Sequence, residues 1–117
     1  MNNKIEKFED IIAWQKAQEL VALIYQDFRT CKDYAFRDQI QRAAVSVMNN
    51  IAEGYERKGN KEFSKFLYIA KGSCGEVRSM LYLALRLKYI TQEKFDKFYA
   101  ESESISRMLS NFIKKLS

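Results

Sequence analysis

Not one proline interrupts these 117 residues, and only four glycines do. Proline stops helices and glycine supplies the left-handed backbone of tight turns, so a chain this poor in both is ill suited to many short strands. It is well suited to a few long helices, and the apolar pattern agrees. Trp14, Ala17, Val21, Ile24, Tyr25 and Phe28 recur at amphipathic spacing and predict a helix over 9–30, with Glu9 and Asp10 at its positive end. Asp33 caps a second helix over 34–55, whose stripe is Phe36, Ile40, Ala44, Val47 and Ile51 and whose C-terminal end lies near Gly54. Asn60 caps a third over 61–88, with Phe63, Phe66, Leu67, Ala70, Cys74, Val77, Leu81 and Ala84 on one face. Thr91 caps the fourth, over 92–115, with Phe95, Phe98, Ile105, Leu109, Phe112 and Leu116 inward and Lys114 and Lys115 at its negative end. Helices about 30 Å long joined by only a few residues run antiparallel to their neighbours in sequence. The expectation is an all-α, antiparallel up-down-up-down four-helix bundle, with residues 1–117 forming one domain.

Composition narrows the chemistry. The absence of histidine removes the usual general base, the Ser-His and Cys-His nucleophile pairs and the Glu-x-x-His pairs of di-metal helix bundles. A phosphate-binding loop, a dinucleotide glycine fingerprint and a nucleophile elbow are also missing. The chain reads as a non-enzyme without a cofactor or metal. Cys31 and Cys74 read as free thiols of a cytoplasmic protein, and no apolar run approaches the ~20 residues that cross a bilayer.

The second helix carries a polar stripe beside its apolar one. Gln39, Arg42, Ser46, Asn50 and Glu53 fall within an arc of about 80°. Such a stripe is either a solvated flank or a hydrogen-bonded seam against another helix or subunit. On the third helix Ile69, Gly72, Ser73, Glu76, Leu83 and Leu87 lie outside the main core face and offer a counterpart. Gly72 and Gly75 each cost about 1 kcal/mol relative to alanine inside a helix. Either they are tolerated or a second backbone comes close. An apolar flank that one bundle leaves uncovered points to self-association, and Arg42 and Glu76 are expected near one another or near the rest of the stripe.

The net charge of +5 is unevenly placed. Between Glu56 and Ile90 stand Arg57, Lys58, Lys61, Lys65, Lys71, Arg78, Arg86 and Lys88 against Glu56, Glu62 and Glu76, while the rest of the chain is neutral. This segment is either an ordinary solvated surface or a field that attracts a polyanion such as RNA or DNA. Most aromatics sit at core spacing; Tyr55, Tyr68 and Tyr82 are the candidates for exposed contact.

The segments FEDIIAWQKA (8–17), QIQRAAVSVMNNIAEG (39–54) and EFSKFLYIAKGSCGEV (62–77) resemble the bacterial four-helix-bundle proteins encoded by intervening sequences within 23S ribosomal RNA genes. Phe8, Trp14, Gln39, Arg42, Ser46, Asn50, Glu53, Gly54, Arg57, Gly72, Ser73 and Glu76 are among the matching positions. Met48 departs from the pattern, standing where that family often has proline. The resemblance implies a bundle that assembles into a homopentamer. The family is similar to accessory proteins of diversity-generating retroelements, basic pentamers that work with a reverse transcriptase and nucleic acid.

Composition, pattern and resemblance converge on a small oligomeric basic scaffold. Its expected partners are copies of itself, RNA or DNA, and a reverse transcriptase or other nucleoprotein, with no membrane. The competing expectation is a protein–protein adaptor with no nucleic-acid role.

Overall fold

A computed structural model describes residues 4–117. Among them the elements are a short 3-10 turn, Phe8–Asp10, and four helices: α1 (Ile12–Asp27), α2 (Tyr34–Glu56), α3 (Asn60–Arg86) and α4 (Gln92–Leu116). Each of α1 and α3 packs against both α2 and α4, and nothing crosses either diagonal among the described residues. That is the up-down-up-down order of a four-helix bundle. The body measures 43 × 27 × 20 Å, and α3, with 27 residues and hence about 40 Å of helix, runs its whole length.

The helix ends depart from the expected ones for local reasons. Glu9 and Asp10 do not open α1. Asp10 closes the 3-10 turn instead, its Oδ2 accepting the backbone N–H of Glu6 at 3.0 Å and of Lys7 at 3.3 Å. Ile11 then turns extended (φ −77°, ψ 119°) and is buried, so α1 starts at Ile12; it ends at Asp27, short of 30. Asn60 is the first residue of α3 and not its cap, because Gly59 precedes it at φ 93°, a left-handed conformation natural to glycine. At the other end α3 stops at Arg86. Lys88 takes φ 62°, its N–H donates to the Leu85 carbonyl (3.0 Å), and the Tyr89 N–H donates to the Ala84 carbonyl (2.8 Å). This is a Schellman cap with lysine where glycine is commoner.

Two expected caps form. Asp33 accepts the Phe36 N–H at 3.1 Å and Thr91 accepts the Lys94 N–H at 3.2 Å. Asp33 also accepts the Tyr89 hydroxyl at 2.7 Å, tying the α1–α2 turn to the α3–α4 turn. That bond, with the Phe36 N–H, holds the Asp33 carboxyl below its ordinary pKa. The tie is therefore strongest above the carboxyl's unfolded pKa and weakens as pH falls through the folded value.

The core is a single cluster drawn from all four helices. Cys74 is fully buried and Cys31 partly so, both as free thiols; burial pushes the Cys74 thiol up to about 11. Trp14, expected in the core, is only half-buried and packs edge-on against Phe8 at 5.2 Å. Gly54 does not end α2. It lies buried within the helix, where an added Cβ would stand 2.6 Å from the Phe66 Cβ and 3.1 Å from the Phe63 ring. Glycine is needed here to let α2 and α3 approach. Gly54→Ala should therefore cost about 1–3 kcal/mol by overpacking, read as a thermal midpoint lowered by about 4–8 °C per kcal/mol. An unchanged midpoint would contradict so close an approach.

Candidate functional site

Because α2 and α3 are antiparallel neighbours, their outer seam brings the two flanks singled out in the sequence together. Ser46 Oγ and Ser73 Oγ are 2.8 Å apart, and Asn50 Nδ2 donates to Ser46 Oγ at 2.9 Å and to the Ser46 carbonyl at 2.8 Å. These three partly buried residues form one hydrogen-bonded group. Gln39, Arg42 and Glu53 of the same stripe remain exposed. Glu53 accepts from Arg57 Nη2 at 2.9 Å, one turn further along.

The Ser46–Ser73 bond sets the level of the remaining residues. Arg42 lies one turn before Ser46 and Glu76 about one turn after Ser73, so they stand at nearly the same height on the two sides of the seam. Both are exposed, and among the described residues neither makes an ion pair. A buried Arg42–Glu76 pair is thus not formed inside one chain.

Beside the seam runs the apolar flank of α3. Ile69, Leu83 and Leu87 are 47%, 43% and 45% exposed, high values for aliphatic side chains on the helix that supplies the centre of the core. Gly72 lies between them with no atom within 4 Å of where its Cβ would be, and Gly75 meets only Arg78 Nη2 at 3.9 Å. The close backbone approach expected at these glycines is not made within the chain.

The basic residues divide into two groups. Lys58, Lys61, Lys65 and Arg86 are exposed and Lys71 is partly so. Arg78 turns toward α4, where its Nη1 donates to the Ser102 Oγ (3.3 Å) and carbonyl (3.4 Å) and its guanidinium stands 5.9 Å from the Tyr99 ring. Ser102 is fully buried and its hydroxyl donates to the Cys74 carbonyl at 3.1 Å, so Arg78 completes an α3–α4 lock. Arg57 is held between Glu53 and the Phe66 ring (4.9 Å), and the bond to Glu53 raises its pKa. Tyr68 and Tyr82 are exposed, whereas Tyr55 packs on Phe63.

A cleft on the opposite side of α2 has no counterpart in the sequence pattern. Tyr25 and Gln26 of α1, with Arg29 just beyond its C-terminal end, face Arg37 and Gln41 of α2 across about 390 Å³. The spacing of Tyr25 predicts a core position, yet it is 45% exposed. Among the described residues no three of Cys, Asp and Glu gather to hold a metal ion, and no helix is long and apolar enough to cross a membrane.

A family model described as 23S rRNA-intervening sequence protein matches residues 9–111, from the 3-10 turn well into α4. The chain belongs to this family. A crystal structure of a protein of unknown function from the S23 ribosomal protein family of Bacteroides thetaiotaomicron is similar to it, with a TM-score of 0.82 and 25% identity over 88% of this chain and 96% of that one. No curated protein matches the chain. For a 23S rRNA-intervening sequence protein, the α2–α3 seam is the feature most open to test by substitution. Ser73→Ala should cost about 0.5–1.5 kcal/mol for the broken hydrogen bond. Arg42→Ala should stay within about 0.5 kcal/mol of wild type when denaturant unfolding is measured at concentrations low enough to keep the chain single. A loss of several kcal/mol there would mean that Arg42 has a buried partner in the same chain.

Proposed function

We propose that the protein is a non-enzymatic scaffold that assembles with copies of itself through the α2–α3 seam and holds RNA, alone or in a nucleoprotein, on its exposed lysines. The observation that carries this reading is the row Ile69, Leu83 and Leu87, which the described residues leave 43–47% exposed. A second copy is the occupant this strip suits. It places a free guanidinium, Arg42, level with a free carboxylate, Glu76, so it offers both signs of charge to an identical strip. Gly72 adds a place where a second helix can come close. Assembly into a closed ring, five copies by family resemblance, would repeat the basic surface once per subunit.

Nucleic-acid binding on this reading is electrostatic. Lys58, Lys61, Lys65 and Arg86, with Lys71 beside them, displace counterions from phosphates, and repetition around an oligomer adds avidity for long strands. Phosphate contacts carry little base information, so discrimination among sequences is weak. A protein–protein adaptor is the second reading. It is favoured by the engagement of Arg57 with Glu53 and of Arg78 with Ser102, which withdraws two cations from the polyanion surface.

One measurement tests the assembly and a second separates the two readings. Light scattering at micromolar concentration should give a multiple of the chain mass, falling toward a single chain for Leu83→Glu with Leu87→Glu. Fluorescence anisotropy should show long RNA bound much better than short RNA. Its log-log salt slope should become shallower when Lys58, Lys61 and Lys65 become Gln, by about 0.7 for each single-strand phosphate no longer neutralised. A single-chain mass for wild type would reject the assembly. Equal slopes, or no binding at low salt, would leave the adaptor.

A further inference from the structure

We propose that the cleft between α1 and the beginning of α2 is a single-nucleotide site for single-stranded RNA, in which a base stacks on Tyr25 and Arg29 and Arg37 hold the adjoining phosphate. The inference rests on the reading of the protein as an RNA binder but on none of the α3 residues used there. The site is a shallow groove largely open to solvent, suited to the face of a strand more than to an enclosed ligand; none of its five lining residues is a carboxylate, though Asp38 beside it pairs with Arg37.

Each lining residue matches one part of a nucleotide. Two arginines line one open groove. Arg29 has no ion pair among the described residues, while Arg37 is steadied by Asp38 (Nε and Nη2 each 3.1 Å) and by the Tyr34 ring (4.8 Å), which leaves its Nη1 free to donate. Arg29 keeps its whole guanidinium fork for phosphate oxygens, and Arg37 adds its Nη1 donor. Tyr25 exposes a flat ring on which any base can stack. Gln26 and Gln41 each carry an amide donor and acceptor, the complement of a base edge. A site for phosphate alone would need neither the amides nor the exposed ring.

Position favours the same conclusion. On α2 the buried stripe separates Ser46 and Asn50, on the α3 side, from Arg37 and Gln41, on the α1 side. A second copy docked on the α2–α3 seam would leave this cleft open in every subunit.

The test uses the full chain and a fluorescein-labelled pentauridylate, with uridine 5′-monophosphate and inorganic phosphate as unlabelled competitors. Tyr25→Leu should weaken pentauridylate binding roughly 5- to 100-fold, the range for removing one stacked base. R29Q with R37Q should weaken it at least as much, and the nucleotide should compete at far lower concentration than phosphate. Wild-type affinity in Tyr25→Leu, no pentauridylate binding at low salt, or equal competition by phosphate would overturn the proposal. If circular dichroism shows that the double arginine variant is unfolded, Tyr25→Leu decides alone. The Lys58, Lys61 and Lys65 to Gln variant separates the two readings: it should spare the pentauridylate while weakening long RNA. Loss of long-RNA binding in that variant, together with indifference of the short probe to Tyr25→Leu, would sink the cleft and leave the α3 reading standing.

Discussion

The bundle is organised around the complete burial of one stripe of α3. Leu67, Ala70, Cys74, Val77, Leu81 and Ala84 are all 0% exposed, and they occupy successive turns of the longest helix. Small side chains at Ala70, Cys74 and Ala84 are mixed with the larger Leu67, Val77 and Leu81, so α2 and α4 can pack closely on either side of the stripe. Burying these side chains supplies much of the driving force for folding, at roughly 25 cal/mol per Å² of apolar surface. The small polar links depend on this packing: Ser46 with Ser73 on the α2 side, and Ser102 with Arg78 and the Cys74 carbonyl on the α4 side. Of these, the Ser102 link is fully buried, while Ser46 and Ser73 are partly buried.

That same helix presents two more surfaces, and this is where function enters. A helix whose inner face is fully covered has no structural need for Ile69, Leu83 and Leu87 outside it. Solvated lysines already keep the outer face soluble. Under the proposed assembly another copy covers the aliphatic row, and Lys61 and Lys65 at the N-terminal end of α3 border that contact. On this account the inner arc of one helix serves stability, and its outer arc serves both proposed roles, with Lys61 and Lys65 near its N-terminal end and Leu83 and Leu87 near its C-terminal end.

Much of the architecture was legible in residue spacing, because a 3.6-residue apolar period without proline admits little besides long helices. Both side-chain caps that form, at Asp33 and Thr91, were also readable from residue type. The misread ends share a cause: each is set by the backbone angles of one residue, extended at Ile11 and left-handed at Gly59 and Lys88, which apolar periodicity does not encode. Gly54 lies near the end of α2, as expected, but only the three-dimensional approach of Phe66 shows it to be a spacer. The hydrogen-bonded part of the seam could be foreseen from small polar residues on facing flanks, but not which residues would bond. Arg78 looked free because its lock with Ser102 spans two helices. Tyr25 misleads for the opposite reason. It follows the apolar spacing yet sits at the edge of the stripe, about 100° round the helix from the buried Ile24.

The central claim is that a second copy covers the α3 flank, and hydroxyl-radical footprinting across a dilution series tests it directly. Ile69, Leu83 and Leu87 should be protected at micromolar concentration and become reactive on dilution, while the 61%-exposed Tyr34 stays reactive throughout. Equal and high reactivity of the three aliphatic side chains at every concentration would contradict the account.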